Sequence, residues 1–223
     1  MYLKPNIYNT QLLSLPNTNN KIKNIVFDLG NTLVYFDYCY FYDGVSHLEK
    51  NANARKLKKF FSDQKLDLKI GSNRIKIKDA FKILKKKFNL KIGYADFHFL
   101  YCDIFWENTQ MKNFIENKLL NSGYRLYMLS NVDASHINFI DNNFPYVKHI
   151  KNRVLSYKVK AVKPDKKIYR HLINKYRLIP GETLFIDDLR QNILSSNELG
   201  LNTIHYTSHK RFLKEFKKFT GIK

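Results

Sequence analysis

The sequence predicts an α/β fold with a parallel sheet that is interrupted by an all-helical insertion. Short apolar runs rich in β-branched and aromatic residues recur along the chain, and helical patterns separate them. Two of these runs end directly on acidic residues. Between the first and second runs, residues 45–107 follow a helical pattern. Strands that alternate with helices favour right-handed crossovers, and therefore a parallel sheet.

The first predicted strand covers residues 25–27 and is followed by Asp28. Its three residues are all apolar, as expected of a strand that is buried on both faces. Gly30 and Asn31 follow, and these residue types let a chain turn away from a strand end. An acid at the carboxyl end of a buried strand lies where open α/β sheets bind ligands. Taken alone, the pattern fits a simple turn as well as it fits a reactive site.

The all-helical insertion is predicted over residues 38–107, after an aromatic exit from the core that ends in a turn at Asp43 and Gly44. Apolar residues recur there at steps of three and four, which is typical of amphipathic helices. The expected helices span residues 47–61, 76–88 and 94–106. We expect the large aromatic side chains to form the interior of this block, namely Phe60, Phe61, Phe81, Phe97, Phe99, Phe105 and Trp106.

The main α/β unit is predicted over residues 23–37 and 108–223, preceded by a polar N-terminal arm over residues 1–22. A helix over 111–120 ends at a glycine-containing stop, and the strand that follows runs into Ser130 and Asn131. A third buried strand ends in the pair Asp187 and Asp188, with Asn192 four residues beyond. The remaining expected elements span residues 165–176, 184–187, 191–199, 203–205 and 210–223.

The composition fits a globular protein with an unusual charge. The chain has 223 residues, 44% of them hydrophobic, and a formal net charge of +20. This charge could mark a surface for nucleic acid or acidic membranes. Because the lysines are spread over every predicted helix, we favour compositional drift and expect no nucleic-acid partner. No apolar run approaches the roughly 20 residues that span a bilayer, so we expect no membrane partner and a cytoplasmic location.

The reactive side chains follow the order acid, hydroxyl, lysine and acid pair, in the motifs DLGNTLV, LSN, KPDKKIY and FIDDLRQNI. In this order the sequence resembles the haloacid dehalogenase (HAD) superfamily from about Lys23 to Tyr206. It looks most like the subgroup of glucose-1-phosphate phosphatases and the phosphatase domains related to epoxide hydrolases. The resemblance implies a Rossmann-like core with a parallel sheet and a small helical cap inserted after the first core strand.

The resemblance also implies a magnesium-dependent phosphatase that acts on small phosphorylated metabolites, with sugar phosphates favoured. Asp28 would be the nucleophile, forming an aspartyl-phosphate, and Lys163 would pair with it and with the phosphate. The implied phosphate-binding residues are Ser130, Asn131, Thr32 and Lys163. The implied Mg²⁺ ligands are Asp28, the carbonyl of Gly30, Asp187 and Asp188. Asn192 would orient Asp188 or a metal-bound water.

Gly30 departs from the superfamily pattern. Most phosphatases of the superfamily carry a second aspartate there, as general acid and base, and proton transfer of this kind contributes about 100- to 10,000-fold in rate. The substrate could instead have a leaving group that departs readily, such as an anomeric sugar phosphate or an acyl phosphate. Asp37, His136 or a cap residue could supply the proton. For His136, a place on a helix surface is the commoner expectation.

Two other functions compete with the phosphatase. One is a catalytically weak or idle protein that binds a ligand or nucleic acid, which Gly30 and the basic charge motivate. The other is a dehalogenase, which would use the same nucleophile without a metal. The adjacent acids Asp187 and Asp188 argue against the dehalogenase, because such a pair serves a cation. Retention of Asp28 and Lys163 argues against an idle protein.

Overall fold

The computed structural model describes residues 21–222 of the chain. The predicted N-terminal arm therefore lies outside the described residues, apart from its last two. Ile22, the last residue of that arm, is buried in the main hydrophobic core. Within residues 21–222, no helix combines the length and apolar character needed to cross a membrane.

The centre of the molecule is a parallel five-stranded sheet, which confirms the predicted α/β class. The strands are β1 (Asn24–Phe27), β4 (Arg125–Ser130), β5 (Asn152–Leu155), β6 (Thr183–Asp187) and β7 (Asn202–His205). Their order across the sheet is β5-β4-β1-β6-β7. Strand β1 is central, and Phe27 lies in register with Met128 on one side and Ile186 on the other. The carboxyl ends of β1, β4 and β6 therefore meet at one edge of the sheet.

Helices cover both faces of the sheet. They are α6 (Thr109–Phe114), which continues into a π-helical turn (Ile115–Leu119), α7 (Ala134–Asn143), α8 (Ser156–Val159), α9 (Lys166–Tyr176), α10 (Arg190–Asn197) and α11 (His209–Thr220). In β1, Ile25 and Phe27 belong to one buried apolar cluster, while Val26 belongs to the cluster on the opposite face. Successive residues of a strand point to opposite faces, so a strand covered on both sides is apolar throughout.

One strand of the sheet is absent from the sequence-based prediction. Strand β5 begins with the exposed Asn152 and the half-buried Arg153, and only Val154 and Leu155 are buried. It lies at the edge of the sheet, beside β4. An edge strand with two polar residues carries too short an apolar run to be recognised by pattern.

Five helices lie between the first two strands of the chain and β4. They are α1 (Tyr38–Leu48), α2 (Ala54–Asp63), α3 (Leu66–Gly71), α4 (Ile77–Phe88) and α5 (Tyr94–Cys102). They pack around an apolar cluster of their own, which includes Phe41, Phe61, Phe81 and Phe97. The boundaries of core and cap at residues 23–37, 38–107 and 108–223 stay a prediction, although α1 begins at Tyr38.

Two local predictions for the helical block are wrong. The expected turn at Asp43 and Gly44 lies inside α1, where a Cβ on Gly44 would meet Leu100 of α5 at 2.7 Å. This glycine therefore serves close helix packing and not a turn. The expected helix over 47–61 is divided, because α1 ends at Leu48 and α2 begins after Asn53, whose side chain accepts from the backbone N–H of Arg55.

A short antiparallel ribbon joins the helical block to the sheet. It consists of β2 (Val34–Phe36) and β3 (Phe105–Glu107), with Tyr35 opposite Trp106. The sequence predicts a helix over the second of these segments, so the ribbon is a correction. Trp106 is 43% exposed and Phe99 is 61% exposed, so neither belongs to the interior as expected.

Candidate active site

The main polar residues of the site follow the ends of three neighbouring strands. Asp28 comes directly after β1, and its backbone N–H donates to the carbonyl of Ile186 at 2.8 Å. Ser130 ends β4 and Asp187 ends β6. All three side chains are buried. Parallel strands deliver their carboxyl ends to the same edge, so residues far apart in sequence become neighbours here.

Lys163 lies between two of these acids. Its Nζ is 2.6 Å from Oδ1 of Asp28 and 2.7 Å from Oδ2 of Asp187. Burial favours the neutral amine, but the two carboxylates outweigh it and raise the pKa of Lys163. Asn131 fixes the backbone of this lysine, because its side chain accepts from the Lys163 N–H at 2.7 Å and donates to the Lys163 carbonyl at 2.9 Å.

Three carboxylates share the positive charge of this one lysine. One oxygen from each of Asp28, Asp187 and Asp188 lies within 4.8 Å of the others. Burial raises the pKa of Asp28, and the negative charges of Asp187 and Asp188 add to the rise, against the opposing effect of Lys163. Burial and the charge of Asp187 likewise raise the pKa of Asp188. The cluster therefore carries an excess of negative charge that a divalent cation would neutralise, and its hard oxygen donors suit Mg²⁺.

The hydrogen bonds of Asp187 distinguish it from its neighbour. Asn192 Nδ2 donates to both carboxylate oxygens of Asp187, at 2.9 and 3.0 Å, and the N–H of Leu189 donates to Oδ1 at 2.8 Å. With Lys163 as a further partner, Asp187 is held on all sides. Asn192 thus contacts Asp187 and not Asp188, which corrects one of the two predicted roles for Asn192.

Thr32 is not brought to the site. Its side chain is fully buried, and among residues 21–222 its Oγ1 has no hydrogen-bond partner. Its carbonyl accepts from Asn108 Nδ2 at 2.8 Å. Thr32 does not line the cavity described below. The geometry therefore places it in the packing behind the loop after β1, and not where a phosphate would bind.

A cavity of about 490 Å³ lies over the strand ends. Four predicted site residues line it: Gly30, Ser130, Asn131 and Lys163. The helical block contributes Tyr38, Asp67, Leu68, Gly71 and Tyr101, and the ribbon contributes Phe36 and Phe105. Sequence reasoning missed most of these residues, because helical periodicity does not show which side chains of an insertion face the strand ends.

Gly30 is covered by an aromatic ring. A Cβ at this position would lie 2.5 Å from Cε1 of Phe36, far inside van der Waals contact. The ring of Phe36 thus fills the space that a side chain at position 30 would need. While the Phe36 ring keeps this position, only glycine fits at residue 30.

His136 corrects the expectation of a helix-surface histidine, because it is buried and lines the cavity. Its Nδ1 lies 3.0 Å from Oδ2 of Asp133, and its Nε2 lies 2.9 Å from the carbonyl of Tyr101. The Tyr101 hydroxyl donates to the same Asp133 oxygen at 2.8 Å. Burial favours the neutral acid, but the charge and hydrogen bonds of His136, with those from Tyr101 and Ser135, lower the pKa of Asp133 to about 2.

This cluster of Asp133, His136 and Tyr101 joins α7 of the sheet unit to α5 of the helical block. Asp133 is a residue that the sequence analysis missed, although an acid at the N-terminus of a helix, three residues before a histidine, is a recognisable pattern. Asp37, named above as a possible proton donor, lies elsewhere. It accepts from the N–H of Cys39 at 2.8 Å as the cap of α1, and it does not line the cavity.

Parts of the sequence are similar to two phosphatase or hydrolase proteins. Over 90 residues the chain is 33% identical to D-ribitol-5-phosphate phosphatase of Bacteroides thetaiotaomicron, a match covering 38% of this chain and 44% of that protein. Over 74 residues it is 30% identical to bifunctional epoxide hydrolase 2 of Mus musculus, covering 33% of this chain and 13% of that protein. These matches span less than half the length of each relative.

A solved structure shares the fold over nearly its whole length. The magnesium complex of a HAD family enzyme from Bacteroides thetaiotaomicron superposes with a TM-score of 0.73 at 22% identity, covering 83% of this chain and 93% of that chain. At this identity the likeness establishes the fold alone. A family model described as haloacid dehalogenase-like hydrolase matches residues 22–200. Since that match covers most of the chain, the protein belongs to the haloacid dehalogenase-like hydrolase family.

Proposed function

We propose that the protein is a Mg²⁺-dependent phosphatase of small phosphorylated metabolites that works through an aspartyl-phosphate on Asp28. The observation that carries this proposal is the buried ion pair of Asp28 and Lys163, in which Lys163 lines the cavity and Asp28 belongs to an acid cluster with Asp188. The similarity to a ribitol-5-phosphate phosphatase supports the same reaction class. The proposal includes a cytoplasmic location and no nucleic-acid partner.

In the first step, a carboxylate oxygen of Asp28 attacks phosphorus, the bond from phosphorus to the ester oxygen breaks, and the electron pair leaves on that oxygen. Lys163 lies against the attacking carboxylate and would offset the negative charge of the phosphate. Ser130 and the backbone N–H of Asn131, which line the same cavity, would hold a non-bridging oxygen. In the second step, water attacks the aspartyl-phosphate, which releases inorganic phosphate and restores the Asp28 carboxylate.

The metal ligands in this proposal are Asp28, Asp188 and the backbone carbonyl of Gly30. Asp187 belongs to the same acid cluster, but its oxygens are held by Asn192, Leu189 and Lys163. We therefore assign to Asp187 the positioning of Lys163 and the loop after β6. A bound Mg²⁺ would neutralise charge on the phosphate. A structurally similar enzyme was solved as a magnesium complex, which supports Mg²⁺ as the metal.

The test is phosphate release from a panel of sugar phosphates and p-nitrophenyl phosphate, with Mg²⁺ and with EDTA. We expect release that requires the metal and disappears in Asp28→Asn, while Asp96→Asn, which removes an exposed carboxylate of α5, retains it. Absence of metal- and Asp28-dependent release from every substrate would contradict the phosphatase. The idle binding protein would then be the better account, and salt-sensitive association with nucleic acid would identify its ligand.

A further inference from the structure

The ring of Phe36 fills the space beside the backbone of Gly30, two residues after the proposed nucleophile. It closes over Gly30, and a Cβ at that position would meet Phe36 Cε1 at 2.5 Å. Gly30 has no side chain that could donate a proton, and the Phe36 ring fills the space that a donor at this position would need. A leaving group that needs protonation would have to find its proton elsewhere in the cavity.

The ionisable groups that face the cavity are Lys163, Asp133, His136, Asp67, Tyr38 and Tyr101. Lys163 is held by two carboxylates. The nitrogens of His136 are both directed at acceptors in the protein, Asp133 and the Tyr101 carbonyl. Asp133 is ionised and accepts from the Tyr101 hydroxyl, so His136, Asp133 and Tyr101 offer no free proton.

Two ionisable groups of the lining remain, Tyr38 and Asp67. Burial raises the pKa of Tyr38 far above its usual range, so its proton is held tightly. Asp67 lies on α3 and is exposed, as expected of a solvated carboxylate at the mouth of the cavity. Among the described residues that line the cavity, Asp67 is the one alternative donor that the hydrogen bonds leave open.

The wall of the cavity above Lys163 is aromatic. Phe36, Tyr38, Phe105, Tyr101 and His136 line it and contact one another. The ring centroids of Phe36 and Phe105 are 5.9 Å apart, those of Phe105 and His136 4.9 Å, and those of Tyr101 and His136 4.1 Å. An apolar wall of rings favours an aromatic group by offset or edge-to-face packing. The rings offer few partners for the several hydroxyls of a polyol, which cost free energy when they are buried without hydrogen bonds. The polar residues Asp67 and Gln191 also line the cavity, but both are exposed.

We propose that the preferred substrates are phosphomonoesters of aromatic alcohols, in which a phenolic oxygen leaves against the wall formed by Phe36, Phe105 and Tyr38. This inference rests on the proposed phosphatase function and replaces the preference for sugar phosphates that the family resemblance implies. A phenol has a pKa near 10, several units below that of an alkyl alcohol, so its oxygen departs as the anion without prior protonation. The phenolate takes its proton from solvent after the phosphorus–oxygen bond has broken.

The experiment compares phenyl phosphate with cyclohexyl phosphate, which have rings of the same size and leaving groups of different basicity. With Mg²⁺ present, we expect kcat/KM for phenyl phosphate to exceed that for cyclohexyl phosphate, glucose 1-phosphate and ribitol 5-phosphate by about 100-fold or more, the scale of a missing general acid. Phe105→Leu should raise KM for phenyl phosphate several-fold. Trp106→Leu, its neighbour on β3 outside the cavity, is the matched control and should leave KM unchanged.

A second pair of variants tests the role of the Phe36 ring directly. Phe36→Ala combined with Gly30→Asp should admit a carboxyl group and raise cyclohexyl phosphate turnover about 100-fold or more over Phe36→Ala alone. Comparable rates for phenyl, cyclohexyl and sugar phosphates would overturn the inference and leave the phosphatase intact. Loss of cyclohexyl phosphate turnover in Asp67→Asn would then identify the donor. Release from no substrate at all would overturn the phosphatase, and this inference with it.

Discussion

The Nζ of Lys163 lies 2.6 Å from Oδ1 of Asp28, and both side chains are buried. The two residues come from different segments, the loop that follows α8 and the end of β1. Asp187 lies at 2.7 Å from the same nitrogen, so the lysine is shared between two acids. We therefore expect this ion pair both to stabilise the fold and to be the electrostatic centre of the proposed reaction.

Removal of the shared lysine should destabilise the protein. Lys163→Met would leave Asp28 and Asp187 buried beside Asp188 without a counter-ion, and breaking a buried pair in this way costs about 3–5 kcal/mol. Urea denaturation in EDTA would measure the loss. The matched control Lys167→Met removes an exposed lysine from the start of α9 and should change the free energy of unfolding by at most about 0.5 kcal/mol. Equal stability of the two variants would refute the role of the ion pair.

Magnesium should stabilise the folded protein through the acid cluster. A ligand present at 100 times its Kd contributes about 2.7 kcal/mol, which for a chain of this size raises Tm by roughly 5–10 °C. Thermal unfolding with Mg²⁺ and with EDTA measures the shift without any substrate. Asp188→Asn should abolish most of the shift, while Asp96→Asn should retain it. A shift of the same size in both variants would place the metal elsewhere.

Asn192 should contribute stability by holding Asp187. Its buried side-chain amide donates to both oxygens of that carboxylate, so Asn192→Ala removes two hydrogen bonds to a charged group. We expect a loss of about 2–4 kcal/mol in the free energy of unfolding, measured by urea denaturation. Asn142→Ala, which alters an exposed asparagine of α7, serves as the control. An equal loss in the free energy of unfolding for the two variants would contradict the stabilising role of Asn192.

Asp133 should make stability depend on acid pH. Its pKa falls from its ordinary value of 3.8 to about 2 in the folded protein, so the folded state binds its proton less readily than the unfolded state. The resulting stabilisation, on the order of 2 kcal/mol, is present above pH 4 and is lost as the pH falls from about 4 to 2. The difference in urea midpoint between wild type and Asp133→Asn should therefore shrink over that range. A difference that is constant from pH 6 to pH 2 would contradict the assignment.

Much of the fold follows from local hydrophobic patterns that are clear in the sequence. The runs that became β1, β4 and β6 are mostly apolar, since helices cover the sheet on both sides. Strands β4 and β6 end in the predicted Ser130 and Asp187, and the predicted Asp28 follows β1 directly. Edge strand β5 and the ribbon of β2 and β3 escaped prediction. Each is short, and each carries too few alternating or continuous apolar residues to distinguish a strand from a helix or a loop.

The sequence by itself determined the class of fold, the family and the set of acids with Lys163, because those residues occupy strand ends and fixed positions along the chain. Only the tertiary structure shows which side chains surround these acids and Lys163. In the folded protein the ring of Phe36 lies against Gly30, and His136 contacts Asp133 and Tyr101. The side chain of Asn192 donates to Asp187, and Thr32 does not line the cavity. Such contacts join elements distant in sequence, and side-chain packing between elements leaves no periodic signal within either one.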